Sequence, residues 1–196
     1  MLDDDAVRRL FTEARTPATF SARPVAREMI QRIYELSVLG PTASNSVPLR
    51  LVVVESTAGK ARLLASARPR NVTKIMQTPV TLIMAADLRF YEEIPRLWPD
   101  EPENADKFKG PANVGRATQF AVMNATLQGA YLMLAARSVG LDVAPMGIEN
   151  KALLDAEFFP DGRYASLWLV GLGYASDAPL PRRYPRLAFQ EAATFV

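Results

Sequence analysis

An amphipathic helical pattern gives way to an apolar run through one polar segment, Gly40-Pro-Thr-Ala-Ser-Asn-Ser-Val-Pro-Leu-Arg50. The two prolines restrict its backbone, and its hydroxyl and amide side chains can donate or accept hydrogen bonds. The segment is too short for a solvated linker, and a polar loop between two packed elements is a common place for a ligand contact. An ordinary turn after a helix stop explains the same residues equally well, so the segment alone leaves both interpretations open.

The composition is that of a globular protein, and the length of 196 residues predicts a single domain over residues 1–196. There are 23 basic and 21 acidic side chains, and a net charge of only +2 argues against sequence-independent binding to nucleic acid. The basic excess is local, because Arg182, Arg183 and Arg186 cluster near the C-terminus.

The chain contains no histidine and no cysteine. Disulfides, thiolate nucleophiles and cysteine-held metals are therefore excluded, and the commonest general base and transition-metal ligand is absent. No metal site is predicted. If the protein is an enzyme, its reactivity is expected to come from an organic cofactor.

The sequence also lacks the signals of export and membrane insertion. Its acidic start, Met1-Leu-Asp-Asp-Asp5, contains no apolar signal-peptide stretch. No apolar run approaches the roughly 18 residues that a membrane span needs. These features predict a cytoplasmic protein that does not enter the membrane.

The periodicity of the apolar residues predicts helices alternating with three strands, and hence an α/β or α+β domain with a central sheet. The longest helix would be roughly 40 Å long at 1.5 Å per residue, and its small residues suit a dimer interface or a core helix equally well. Residues 99–111 are predicted to form a surface loop or lid, and Thr57 to cap a short helix. The predicted helices are 3–14, 24 to the stop at Gly40, 60–67, 90–98, 113–139, 150–158 and part of the tail. The predicted strands are 49–55, which is expected to be buried on both faces, 79–87, which is also expected to be buried, and 165–174. A turn is predicted at 145–147.

Five short motifs follow one another along nearly the whole chain. They are Arg15-Thr16, Pro41-Thr-Ala-Ser-Asn-Ser-Val-Pro48, Asn71-x-x-Lys74, Gly140-Leu141 and Arg186-Leu187. Each motif is weak alone, but their succession resembles the FMN-dependent nitroreductase family. This resemblance implies an α+β fold with a mostly antiparallel central sheet surrounded by helices, a long central helix and an intertwined homodimer.

The resemblance also implies which residues hold the cofactor, FMN. Arg15 and Arg186 would bind its phosphate, Lys74 and Asn71 would contact the ring, and backbone amides near Gly147 would lie close to N5. The polar loop would contact flavin bound mainly by the other subunit, so the site would lie at the subunit interface. The full set of implied cofactor-binding residues is Arg15, Thr16, Pro41, Thr42, Ala43, Asn45, Asn71, Lys74, Pro145, Met146, Gly147, Arg183 and Arg186.

Further matches are similar to a branch of this family, the malonic semialdehyde reductases of pyrimidine degradation. They are Leu10-Phe-Thr-Glu-Ala-Arg-Thr16, Phe90-Tyr91, Gln128-Gly-Ala-Tyr131, Gly140-Leu-Asp142, Pro145-Met146 and Pro185-Arg-Leu187. The branch implies that NADH or NADPH gives hydride to FMN, which then reduces malonic semialdehyde to 3-hydroxypropionate. A nitroreductase or quinone reductase of broad specificity is the alternative, as is a flavin-binding protein without turnover. Thr42, Tyr91 and Tyr131 are possible proton donors by residue type, and the sequence selects none of them.

Two alanines depart from the family pattern. Ala14 and Ala18 stand where many relatives have basic residues, so part of the usual phosphate clamp is missing. Arg182 and Arg183 are the candidates to compensate for it.

Overall fold

The computed structural model describes residues 2–196, and a four-stranded antiparallel sheet lies at its centre. Its strands are β1 (Leu49–Val54), β2 (Val80–Asp87), β3 (Asp142–Met146) and β4 (Tyr164–Gly173), in the spatial order β1-β2-β4-β3. The apolar run of β2 is buried along its whole length because β2 lies between two strands and is covered on both faces. The predicted α+β class with an antiparallel sheet is confirmed.

The prediction that β1 is buried on both faces is wrong. β1 is an edge strand, and Val53 near its end is 41% exposed. An apolar run indicates a strand but does not tell whether a neighbour covers each side.

The long helix crosses the domain as predicted. It runs from Val114 to Ser138, is 25 residues long, and packs on the sheet and on the second helix. Its small residues bring the helix close to the sheet: a Cβ on Gly129 would lie 2.5 Å from the Trp168 ring of β4. The helices are α1 (Asp4–Val7), which continues as a π-helical turn over Arg8–Thr12, α2 (Arg27–Ser37), α3 (Thr57–Leu64), α4 (Val72–Gln77), α5 (Ile94–Leu97), α6 (Val114–Ser138), α7 (Lys151–Phe158) and α8 (Phe189–Ala192). Within residues 2–196, none of them combines the length and the apolar character that crossing a membrane requires.

Two local predictions are corrected by hydrogen bonding. Ser56, rather than Thr57, caps α3, since its Oγ accepts a hydrogen bond of 3.0 Å from the Gly59 amide. The turn predicted at 145–147 is largely the end of β3, where Pro145 pairs with Val170 of β4. Proline is tolerated there because β3 is an edge strand, which needs hydrogen-bond donors on one side only.

The segment predicted as a surface loop or lid at 99–111 is partly core. It contains a 3-10 helix, Pro102–Phe108, whose last residue is buried. The Phe108 ring centroid lies 4.9 Å from that of Phe90 and 4.7 Å from that of Phe120. Aromatic packing therefore anchors this segment to α6.

Residues 178–196 form an exposed tail. Its predicted helical part is limited to the four residues of α8. The tail begins shortly after β4 and passes beside the end of the first helical segment, where Arg183 bonds to backbone carbonyls of residues 11–14.

A buried carboxylate stabilises the end of β2. The Asp87 side chain is fully buried; it accepts two hydrogen bonds of 3.1 Å from Arg163 and pairs with Arg50 at 3.0 Å. Asp87→Asn keeps the shape and removes the charge, so Arg50 loses its counter-ion and Arg163 keeps only the exposed Glu92. We expect a loss of about 2–4 kcal/mol in the free energy of unfolding, less than for a fully buried pair because both arginines are partly exposed.

Chemical denaturation measures this loss, and Glu92→Gln is the matched control. Glu92 also pairs with Arg163, at 3.2 Å, but its side chain is exposed, so its neutralisation should cost less than about 1 kcal/mol. Equal losses in the two variants would contradict a special role for Asp87.

Candidate functional site

The tail and the first helical segment enclose a cleft of about 620 Å³, named here the arginine cleft. Six of the side chains that line it are basic, and no acidic side chain of residues 2–196 lines it. Such a concentration of one charge in a concave surface attracts anions. The basic residues are Arg15, Lys74, Arg137, Arg182, Arg183 and Arg186.

Arg15 and Arg183 lie side by side because they bond to the same backbone carbonyls. Arg15 Nη1 donates to the oxygens of Thr12 and Ala14 at 3.1 and 2.9 Å, and Arg183 Nη2 donates to the same oxygens at 2.9 and 3.0 Å. No carboxylate within residues 2–196 pairs with either guanidinium. Lost hydration, followed by the charges of Arg15 and Arg186, lowers the pKa of Arg183 from its usual value. Both groups therefore remain available to an anion.

Lys74 enters the cleft from α4. Its Nζ donates to the Pro17 carbonyl at 2.9 Å, and burial lowers its pKa from the usual 10.5. Asn71, three residues earlier, does not line the cleft; its side-chain amide donates to the Gly147 carbonyl at 3.3 Å. This bond joins the end of β3 to the wall of the cleft.

The other residues predicted at the end of β3 contribute differently. Pro145 is exposed and Met146 is buried in the core, and neither lines the arginine cleft. Gly147 lies against Arg68: a Cβ on this glycine would be 3.2 Å from the guanidinium carbon. The structure thus places Gly147 next to Asn71, whereas the side chain of Met146, the last residue of β3, is buried in the core.

The polar loop at 41–47 lies elsewhere in the chain. Pro41, Thr42, Ala43 and Asn45 do not line the arginine cleft, and Asn45 lines a separate cavity of about 790 Å³ between α2 and β1. The predicted site residues therefore form two groups within one chain.

The loop is held in an unusual conformation. Ser44, Asn45 and Val47 have positive φ angles of 56°, 43° and 39°, which non-glycine residues adopt only when other contacts compensate. The Asn45 amide donates to the Leu97 carbonyl at 2.6 Å, and the Ala43 N–H donates to the Asn124 side chain of α6 at 2.8 Å. The loop is thus fixed by its own chain before any ligand binds.

Sequence reasoning missed two residues that matter here. Arg137, in the last turn of α6, lines the arginine cleft. Asn124, at the middle of α6, holds the loop. A basic residue in the last turn of a helix suggests only an interaction with the helix dipole, so the sequence offers no signal for the first.

Comparisons of this chain with known proteins show its family. The model of the nitroreductase family matches residues 12–174, which is most of the chain. A protein of Rhodopseudomonas palustris named "Putative NADH dehydrogenase/NAD(P)H nitroreductase" is 42% identical over 191 residues, covering 97% of this chain and 96% of its own. The chain belongs to the nitroreductase family.

Two further comparisons agree with this membership. A protein of Xanthomonas oryzae pv. oryzae that bears the same name as the Rhodopseudomonas relative is 44% identical, over 99% of this chain and 97% of its own. A protein of Exiguobacterium sibiricum, solved in complex with FMN, superposes with a TM-score of 0.82 at 21% identity, over 100% of this chain and 99% of its own. The nitroreductase fold inferred from the motifs is thereby confirmed over the whole chain.

Proposed function

We propose that this nitroreductase-family chain is a single-domain FMN oxidoreductase that takes hydride from NADH or NADPH and passes it to a small organic acceptor. The proposal rests on the arginine cleft, because the residues that the family resemblance assigns to the flavin phosphate meet there on a concave, positively charged surface. The FMN complex of the Exiguobacterium protein, and the relatives' shared name, support it.

The donor set of the cleft fits a phosphate monoester. Such a group carries a charge of about −1.5 to −2 at neutral pH and prefers charge-assisted hydrogen bonds from guanidinium groups. Arg15 and Arg183 offer two adjacent guanidinium groups without counter-ions, and Thr16 exposes a hydroxyl at the same rim. Arg186 extends the clamp from the tail.

The residues that would hold the rest of the cofactor belong to α4 and its N-cap. Lys74 would face the polar edge of the ring, and Asn71 is oriented by its bond to Gly147. Bound FMN would accept hydride and deliver it to the acceptor, and the chain itself supplies binding and orientation. This division of labour is compatible with the absence of histidine.

We infer a homodimer from the separation of the loop and the cleft. An apolar stripe on α6 is exposed between them: Met123, Leu127 and Tyr131 recur every four residues on one face. Tyr131 packs on Gly40 beside the loop, and Leu134, about one turn further, lines the cleft. A second copy packed on this stripe would bring the loop of one chain toward the cleft of the other, and would cover apolar surface that one chain leaves in water.

For the acceptor we propose malonic semialdehyde, reduced to 3-hydroxypropionate, on the closer sequence match to that branch. The relatives' name favours the second candidate, a nitroreductase or quinone reductase of broad specificity. A flavin-binding protein without turnover is the third. We place the protein in the cytoplasm.

The test begins with the flavin. Purified protein should be yellow or should take up FMN on titration, and NADH or NADPH should bleach bound FMN rapidly without oxygen. Stopped-flow reoxidation by malonic semialdehyde, a nitroaromatic and a quinone then identifies the acceptor class by the fastest rate. Protein that takes up no FMN refutes the function, and flavin that stays oxidised with both nucleotides leaves the non-catalytic alternative.

Lys74 predicts how flavin affinity depends on pH. Because burial lowers the pKa of Lys74 and an anionic ligand favours the charged ammonium, binding above that pKa requires the uptake of a proton. FMN affinity should therefore be constant at neutral pH and fall as the pH rises through the lowered pKa of Lys74, below 10.5.

Fluorescence titrations with FMN from about pH 7 to 9.5 measure this decline. Lys74→Met should bind more weakly at pH 7 and should lose the decline. Lys151→Met, at an exposed position of α7, is the control that should keep the wild-type profile. A decline of equal size in Lys74→Met would show that another group titrates.

A further inference from the structure

The arginine cleft carries more positive charge than one phosphate requires. Six basic side chains surround it, and a phosphate monoester supplies at most about two negative charges. Positions 14 and 18 near Arg15 are alanine, so the positive charge of the cleft comes from α4, α6 and the tail as well as from Arg15.

Arg137 differs from the other arginines in the element that carries it. It is in the last turn of the 25-residue α6, which packs on the sheet, whereas Arg182, Arg183 and Arg186 belong to the exposed tail. Its side chain is half-buried, and its Nη1 makes one long bond of 3.4 Å, to the Leu10 carbonyl. A guanidinium fixed on a rigid helix loses little conformational freedom when it binds a ligand.

Burial of Arg137 opposes its charge and lowers its pKa from the usual value. The carboxylate of Asp142 acts in the other direction, and the charge of Arg183 lowers the pKa by less. Asp142 also accepts a hydrogen bond of 2.8 Å from the Ala175 amide. A half-buried cation beside other cations is costly unless an anion joins it.

We propose that Arg137 is a phosphate-binding residue of this chain. The inference rests on the proposed function and deepens it: the ligand group is a phosphate monoester of a bound nucleotide cofactor. Two sources carry this group, the 5′-phosphate of FMN and the 2′-phosphate of NADPH. The surplus of positive charge is sufficient for either.

The test compares cofactors that differ only in the phosphate. For Arg137→Met, the Kd of FMN should rise by about 10- to 100-fold, while the Kd of riboflavin, which lacks the phosphate, should change less than about threefold. Arg137→Lys keeps the charge without the planar fork and should lie in between. Arg9→Met is the matched control: Arg9 bonds to the backbone carbonyl of Arg137 at 2.7 Å but does not line the arginine cleft.

A second arm identifies the source of the phosphate. The preference of Arg137→Met for NADPH over NADH is measured with saturating FMN. A loss of about tenfold or more in this preference assigns Arg137 to the 2′-phosphate, provided that the variant keeps its preference for FMN over riboflavin. Parallel weakening of FMN and riboflavin, with the NADPH preference unchanged, would mean a merely structural role and would overturn the proposal. No change in either preference would overturn it as well.

Binding of inorganic phosphate to the flavin-free protein, followed by calorimetry, separates this inference from the proposed function. If wild-type protein binds no flavin but binds phosphate through Arg137, the flavin function fails and the phosphate site stands. If wild-type protein binds FMN, and Arg137→Met keeps both the full preference for FMN over riboflavin and the full preference for NADPH over NADH, the function stands and this inference fails.

Discussion

A chain carrying both Arg15→Met and Arg183→Met should purify without flavin and should bind FMN about a hundredfold to ten-thousandfold more weakly than the wild type. Each guanidinium that bonds a charged group contributes about 1.5–3 kcal/mol, and each tenfold in affinity corresponds to about 1.4 kcal/mol. The two side chains share the carbonyls of Thr12 and Ala14, so neither can shift to cover for the other without losing its own support. Because they are neighbours, the double loss is not expected to equal the sum of the single losses.

The measurement is the flavin content after purification, followed by fluorescence titration with FMN. The fold should survive, because both side chains lie at the rim of the cleft and bond only to backbone carbonyls at the end of the first helical segment. Arg32→Met with Arg62→Met is the charge-matched control: both residues are exposed, in ion pairs with Glu35 and Glu157 away from the cleft. A double cleft variant that keeps stoichiometric FMN would refute the phosphate clamp.

Much of the site could be predicted from the order of motifs. Arg15 and the tail arginines are about 170 positions apart, and only the family resemblance suggested that they meet; the structure places Arg15, Arg183 and Arg186 in one cleft. Asn71 and Lys74 belong to one motif of the resemblance, and their spacing of three puts Asn71 at the N-cap of α4 and Lys74 about one turn further along it. Motif order carries this information because it reflects a fold in which distant segments meet.

Arg137 could not be predicted, for a physical reason. Helical periodicity tells which face of α6 is apolar, but it does not tell that its last turn borders the same cleft as the tail. The tail residues that line this cleft lie between positions 181 and 186 and have no periodic pattern. The same limitation applies to β1, whose apolar sequence hides its position at the edge.

The loop shows the opposite case, because its sequence indicates a ligand contact but does not reveal what holds it in place. The sequence suggests that its prolines fix the backbone, but most of the support comes from elsewhere. Asn124 of α6 holds Ala43, and the Leu97 carbonyl accepts a hydrogen bond of 2.6 Å from the Asn45 side chain. Such contacts join residues up to 81 positions apart and leave no local signature.

The second large effect is expected from mixing two inactive chains. One chain carries Arg15→Met with Arg183→Met, and the other carries Ala43→Trp. Ala43 is exposed, so a tryptophan there leaves the core of its own chain intact while it fills the space in front of the loop. Each variant alone should be nearly inactive if the cleft and the loop form one site.

Co-expression with two different tags allows the mixed dimers to be isolated or counted by native mass spectrometry. Random pairing makes about half of the dimers mixed. In a mixed dimer, one site combines both defects, and the other combines the intact cleft of one chain with the intact loop of its partner. About a quarter of the wild-type activity per site should therefore return in the unfractionated mixture, and about half in purified mixed dimers.

The alternative arrangement gives a different result. If each site used the cleft and the loop of the same chain, every site in a mixed dimer would contain one defect, and activity would stay near zero. Within one chain the loop does not line the arginine cleft, and the exposed stripe of α6 lies between the two groups; both observations favour recovery. Mixed dimers that form but remain inactive would refute the shared site while leaving the phosphate clamp untouched, because that clamp belongs to a single chain.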